Sequence, residues 1–160
     1  MKIKYKTALL ANKAGFRART THMFDRNGEL QRTPSIKEVV RDGGLEALKT
    51  PNQIFTPTQE VLHKWIRKNR GVLIQVYNNA SGYLWALAKV PGGTDLGWSD
   101  FTGNCEMSGC FKSYEDAYED ALELTLSGSL EEFRANEEYG KHWGNYAGYL
   151  RKTFKPNKNE

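Results

Sequence analysis

The sharpest alternation of apolar and polar positions lies between residues 56 and 71. Val61, Leu62, Trp65 and Ile66 recur at i, i+1, i+4 and i+5, which lines them along one side of a helix. Thr56-Pro57-Thr58-Gln59 offers a capping oxygen at Thr56, a proline in the first turn and a Gln at the third helical position. Gly71 supplies a left-handed stop. The opposite side carries His63, Lys64, Arg67, Lys68 and Arg70, so an amphipathic helix over 56–70 is expected.

The period then changes. Val72 to Tyr77 is rich in β-branched residues, Asn78 to Gly82 is turn-forming, and Tyr83 to Val90 completes a hairpin that Pro91-Gly92-Gly93 ends. Residues 91–104 hold Gly92, Gly93, Gly97 and Gly103 and read as a loop or ragged hairpin, with Cys105 to Phe111 returning as a third strand. Ser113-Tyr114-Glu115-Asp116 opens a helix over 113–127 whose apolar side is Ala117, Ala121, Leu122 and Leu124. Ser129-Leu130-Glu131-Glu132 is a capping box for a further helix to about Tyr139. Upstream, Leu9, Leu10 and Ala14 mark a short helix over 7–14 closed by Gly15, and Arg26-Asn27-Gly28 turns a hairpin over 21–31. Ser35-Ile36-Lys37-Glu38 caps a helix through Val39 and Val40. Together these predict a single α+β domain with a small antiparallel sheet and helices mainly on one face. Its α-β-β-β-α core spans about 56–127, with an N-terminal helix and hairpin layer over 1–55 and a C-terminal helical extension over 128–160.

Composition narrows the class. The 160 residues are 39% hydrophobic and 26% charged, ordinary for one folded domain. No apolar run approaches the roughly 18–20 residues of a membrane span, so no membrane partner is expected. The basic start, Met1 to Lys6, leads into no apolar signal core, and Cys105 and Cys110 are too few for a disulfide scaffold. Both observations point to the cytoplasm.

Charge is unevenly spread. Residues 1–70 carry 15 Lys+Arg against 6 Asp+Glu, residues 71–140 carry 3 against 12, and residues 141–160 carry 5 against 1. Such asymmetry either marks one face for nucleic acid or an acidic partner, or is neutralised when the segments pack together. On the helix at 56–70, Lys64, Arg67 and Lys68 share one set of rows, as do His63, Arg67 and Arg70. Arg17 and Arg19 join this basic face if the first hairpin packs nearby, as do Arg26 and Arg32.

Catalytic chemistry finds little support. His22, His63 and His142 are far apart, and Cys105 and Cys110, five residues apart on one strand, point to opposite faces. Gly92-Gly93 and Gly103 match no phosphate-binding loop. Glu115, Asp116, Glu119, Asp120 and Glu123 read as a solvated helix face. No catalytic residue, metal or cofactor is therefore expected. Trp65 and Trp85 belong to the core by their positions, whereas Trp98 and Phe101 in the glycine-rich loop, and Trp143 and Tyr146 near the C-terminus, are candidates for a docking or base-stacking surface.

The block Thr56 to Arg67, with its Pro-Thr-Gln and Lys64-Trp65-Ile66-Arg67, resembles a family of small uncharacterised proteins of gut Bacteroidota and their phages. Leu9 to Phe16 resembles that family's opening helix, and Ser113-Tyr114-Glu115-Asp116-Ala117 its closing one, while the segment after Gly128 has no counterpart. The resemblance implies a setting and no activity. The order of elements over 56–127 is also similar to the double-stranded-RNA-binding domain, but Glu115, Asp116, Glu119 and Asp120 stand where that fold presents cations to phosphate. The expected function is a non-catalytic interaction protein that docks on a host or phage protein, such as a phage-encoded accessory or host-defence inhibitor. The alternative is a nucleic-acid-binding accessory protein using the basic face of the helix at 56–70.

Overall fold

The computed structural model describes residues 2–43, 54–79, 82–99 and 111–155. Helix α1 (Tyr5–Ala14) ends on Gly15, whose left-handed φ of 107° returns the chain to the carbonyls of Ala11 and Asn12. Strands β1 (His22–Phe24) and β2 (Leu30–Arg32) form the hairpin expected around Asn27-Gly28. Ser35 and Glu38 exchange the two hydrogen bonds of a capping box at the start of α2 (Ile36–Gly43). Strand β3 (Ile54–Phe55) then pairs with β1, giving a small antiparallel sheet in the order β2-β1-β3.

Helix α3 (Gln59–Arg70) begins two residues later than its sequence suggests. Thr58, not Thr56, is the cap, and its hydroxyl accepts from the Val61 N–H at 3.3 Å. Pro57 therefore precedes the cap, and Gln59 becomes the first helical residue with its side chain directed inward. Leu62 and Ile66 are fully buried, each contributing about 1.5–3 kcal/mol. Trp65 is partly buried, with its ring 5.9 Å edge-on from that of Phe16.

A second antiparallel sheet follows in the order β4-β5-β6, built from β4 (Val72–Asn79), β5 (Gly82–Lys89) and β6 (Thr94–Trp98). The β4–β5 register sets Val72, Ile74 and Val76 opposite Lys89, Leu87 and Trp85. Those residues turn one face inward, while Leu73, Gln75, Tyr77, Ala86 and Ala88 on the other stay exposed or half-buried. The third strand thus lies at 94–98, inside the stretch read as a loop or ragged hairpin, and it pairs with β5 as a hairpin with a register shift between Ala86 and Ala88. The strand expected over 105–111 falls outside the described residues except at Phe111, which exchanges two 2.8 Å backbone bonds with Tyr83. Gly97 is what lets β6 pack so closely. Its φ is +93°, and a Cβ there would stand 2.6 Å from the Gly144 carbonyl oxygen and 2.9 Å from the Ala147 Cβ.

Helix α4 (Tyr114–Ser127) lies across the inward face and is buried at every position from Ala117 to Leu126. Helix α5 (Leu130–Ala135) stops short of Tyr139 because the Asn136 side-chain oxygen takes the N–H groups of Glu138 and Tyr139, replacing the next helical turn. A 3-10 turn (Trp143–Asn145) leads into α6 (Tyr146–Phe154), which packs against α4 and β6. The protein is accordingly a small α+β fold with α3, α4 and α6 on one side of the larger sheet. No helix among the described residues is long and apolar enough to cross a membrane.

Candidate functional site

The acidic helix presents its carboxylates to solvent only at its first turn, where Asp116 stays exposed and Glu115 half-buried. Glu119, Asp120 and Glu123 are 4%, 7% and 8% exposed, so each needs partners. Glu119 accepts from the Lys4 backbone N–H at 2.7 Å, the Thr7 hydroxyl at 2.5 Å and the Gln59 amide at 3.2 Å. Asp120 accepts from the Trp85 indole at 2.8 Å, Arg151 at 2.6 Å and the Lys155 ammonium at 2.7 Å. Lys155 also reaches Glu123 at 2.7 Å, with Lys6 at 3.6 Å on the same oxygen. Burial pushes the Asp120 carboxyl up, but Arg151 and Lys155 outweigh it and hold it below its ordinary value. The cations that neutralise this helix come from the two ends of the chain, and its ion pairs among the described residues include none with α3.

His63 leaves the expected basic face. Its Nε2 accepts the Ile74 backbone N–H at 2.9 Å, which puts the ring proton on Nδ1, 2.6 Å from the Tyr118 hydroxyl. Burial, with a smaller contribution from the Arg67 charge, lowers its pKa to about 4, so it is neutral at pH 7. Lys64, Arg67 and Lys68 do project to solvent. Arg17 folds back on the Asn12 and Phe16 carbonyls, and Arg19 lies 5.7 Å over the Phe55 ring and bonds the Pro34 carbonyl. Arg19 lines a separate hollow with Thr20, Thr21, His22, Arg32 and Thr33.

Where α3 ends, an open groove of about 580 Å³ separates it from the end of β5 and from α5. Its wall is formed by Asn69, Arg70, Lys89, Ser129, Leu130, Glu131, Arg134 and Trp143. The Arg134 guanidinium carbon lies 4.4 Å, and the Lys89 ammonium 4.7 Å, from the centroid of the Trp143 ring. Arg70 donates to the Gly128 carbonyl at 3.2 Å, and Arg134 to the Gly140 carbonyl at 2.6 Å. The arrangement can hold an anion and offers no nucleophile–base pair.

Of the residues singled out from sequence, the structure brings Arg70 and Trp143 together in this groove. Tyr146 is 1% exposed, packed 5.1 Å from the Phe133 ring, and so cannot stack on a partner. Trp98, across from Ala86 on β5, is 45% exposed, and Phe101 lies outside the described residues. Lys89 and Arg134 were missed. Their signal was isolation: with Lys112 they are the only cations in the acidic stretch 71–140. No group of three or more His, Cys, Asp or Glu among the described residues is placed to hold a metal ion.

Compared with protein-family models, with curated proteins and with solved structures, the chain matches none.

Proposed function

We propose that the protein is a non-catalytic accessory protein that binds nucleic acid through the exposed basic face of α3. The observation that carries this is where the acidic charge goes. Helix α4 is paired with Lys4, Lys6, Arg151 and Lys155, so it does not neutralise Lys64, Arg67 and Lys68. Cations in the last turn of a helix also stabilise it through the helix dipole, worth about 0.3–1 kcal/mol each. That accounts for Arg67, Lys68 and Arg70 but not for Lys64 one turn earlier. Phosphates spaced along a strand would meet these side chains in succession.

Fluorescence anisotropy with labelled single- and double-stranded DNA and RNA tests it. Three phosphate contacts on a single strand predict that affinity falls about 20-fold between about 50 and 200 mM salt. Replacing Arg67 and Lys68 with Glu should weaken binding further and flatten the salt dependence. Absence of binding at the lower salt would overturn the proposal.

A second reading has its own support. Trp98 is an exposed indole beside Ala86 on the outer sheet face, the kind of anchor that protein interfaces use. The partner would be a host or phage protein, the setting that the family resemblance implies. Loss of a co-purifying protein on Trp98→Ala, with nucleic-acid binding absent, would favour this reading.

A further inference from the structure

The groove at the end of α3 is chemically narrower than the helix face that leads to it. Arg70, Lys89 and Arg134 reach it from three different elements, and each is held there by a neutral group. The Gly128 carbonyl holds Arg70, the Gly140 carbonyl holds Arg134, and the Trp143 ring is in cation–π contact with both Arg134 and Lys89. Carbonyls and an indole fix a cation in place without cancelling its charge. Glu131 is the one carboxylate on the wall, and among the described residues it makes no ion pair with any of the three.

Three cations and one carboxylate line the hollow, and a bound anion relieves the repulsion that the excess of cations leaves. Separate lysines on an exposed helix suit the single charges strung along a phosphodiester backbone. A converging set suits a group that concentrates its charge, and a phosphomonoester carries about −1.5 to −2 at pH 7. The rest of the wall is more than an inorganic ion needs. Leu130 offers apolar surface, and Asn69 and Ser129 offer hydrogen bonds.

The geometry points to this groove as a binding site for a nucleoside phosphate, either free in solution or as the phosphorylated end of a strand. The strand-end form rests on the nucleic-acid reading above; the free form stands without it. In both, Lys89 and Arg134 hold the phosphate against the Trp143 edge of the hollow, and the nucleoside lies toward Leu130.

The test uses calorimetry of the full chain with adenosine monophosphate, adenosine and inorganic phosphate, beside anisotropy of one short single strand with and without a 5′-phosphate. Adenosine monophosphate should bind at least about tenfold more tightly than adenosine or phosphate, and Lys89→Gln or Arg134→Gln should weaken it about tenfold. Lys64→Gln, on the helix face, should leave it unchanged. A strand that gains about fivefold or more from its 5′-phosphate identifies the strand end as a source. Indifference to that phosphate, with the mononucleotide still bound, identifies the free nucleotide. Mononucleotide binding with no strand binding supports the groove and overturns the nucleic-acid reading. Strand binding lost in the α3 variant, with no discrimination among the small ligands, overturns the groove and keeps that reading. The comparison of small ligands on the unsubstituted protein decides the matter even if a groove variant fails to fold.

Discussion

His63 Nε2 accepts the backbone N–H of Ile74 at 2.9 Å, so a side chain of α3 completes the hydrogen bonding of strand β4. Only the neutral ring can do this. A proton on Nε2 would set two donors facing each other in a half-buried site.

Stability should therefore depend on pH between about 4 and 6.5. With its pKa lowered from 6.5 to about 4, His63 binds fewer protons in the folded state than in the unfolded state across that window. Its contribution is fully present above 6.5 and is lost as pH falls toward 4, an effect of about 1–2 kcal/mol once solvent access to the ring is allowed for. Urea denaturation at pH 7 and pH 5 should show a larger drop for the natural protein than for His63→Gln. Equal drops would remove His63 as the cause.

Asp120 anchors the densest charge cluster. Asp120→Asn takes its carboxylate partner from the partly buried Arg151 and one of two from Lys155, which keeps Glu123, and should cost about 2 kcal/mol in denaturant unfolding. Asp116, about half exposed and paired with Lys4 at 4.0 Å, is the contrast. Asp116→Asn should change stability by under about 1 kcal/mol.

The two threonines before α3 separate capping from burial. Thr58→Ala removes the bond to the Val61 N–H and should cost about 1 kcal/mol. The Thr56 hydroxyl is buried with no hydrogen-bond partner, so Thr56→Val should be neutral or stabilising. If Thr56 were the cap, the order of the two variants in thermal melts would reverse.

Gly97→Ala should destabilise by about 2–3 kcal/mol, since the new methyl would meet the Gly144 carbonyl and Ala147 in addition to the unfavourable φ. Gly93 shares the positive φ but a Cβ there has nothing within 4 Å, so Gly93→Ala should cost only about 1–2 kcal/mol. Calorimetric melting of the pair measures the difference that close packing makes.

Short-range signals were readable from the chain alone. Ser35, Ser113 and Ser129 cap the helices they precede, and Gly15 and Gly71 stop theirs in the left-handed conformation, because a cap involves only a few neighbouring residues. The hairpin of β4 and β5 was equally local. Strand β6 was only half legible, as one of two alternatives for its stretch, because Gly97 looks like a turn residue until Gly144 and Ala147 are brought against it. The burial of α4 was hidden, since Glu119, Asp120 and Glu123 look solvated until Lys4, Arg151 and Lys155 arrive from opposite ends of the chain. The groove was half legible. Arg70 and Trp143 stood out by type, but Lys89 and Arg134 became partners only through the packing of β5 beside α5.

The same convergence on α4 ties the beginning and end of the described chain to its middle. Glu119 is held by Lys4 and Thr7, and Asp120 by Arg151 and Lys155, some 30 residues further on. A protease that trimmed the C-terminal side past Arg151 would not merely shorten the molecule by part of a helix. It would strip the buried Asp120 of both its cations and leave Glu123 with Lys6 alone, so the nick would register as a destabilised interior rather than as a ragged end.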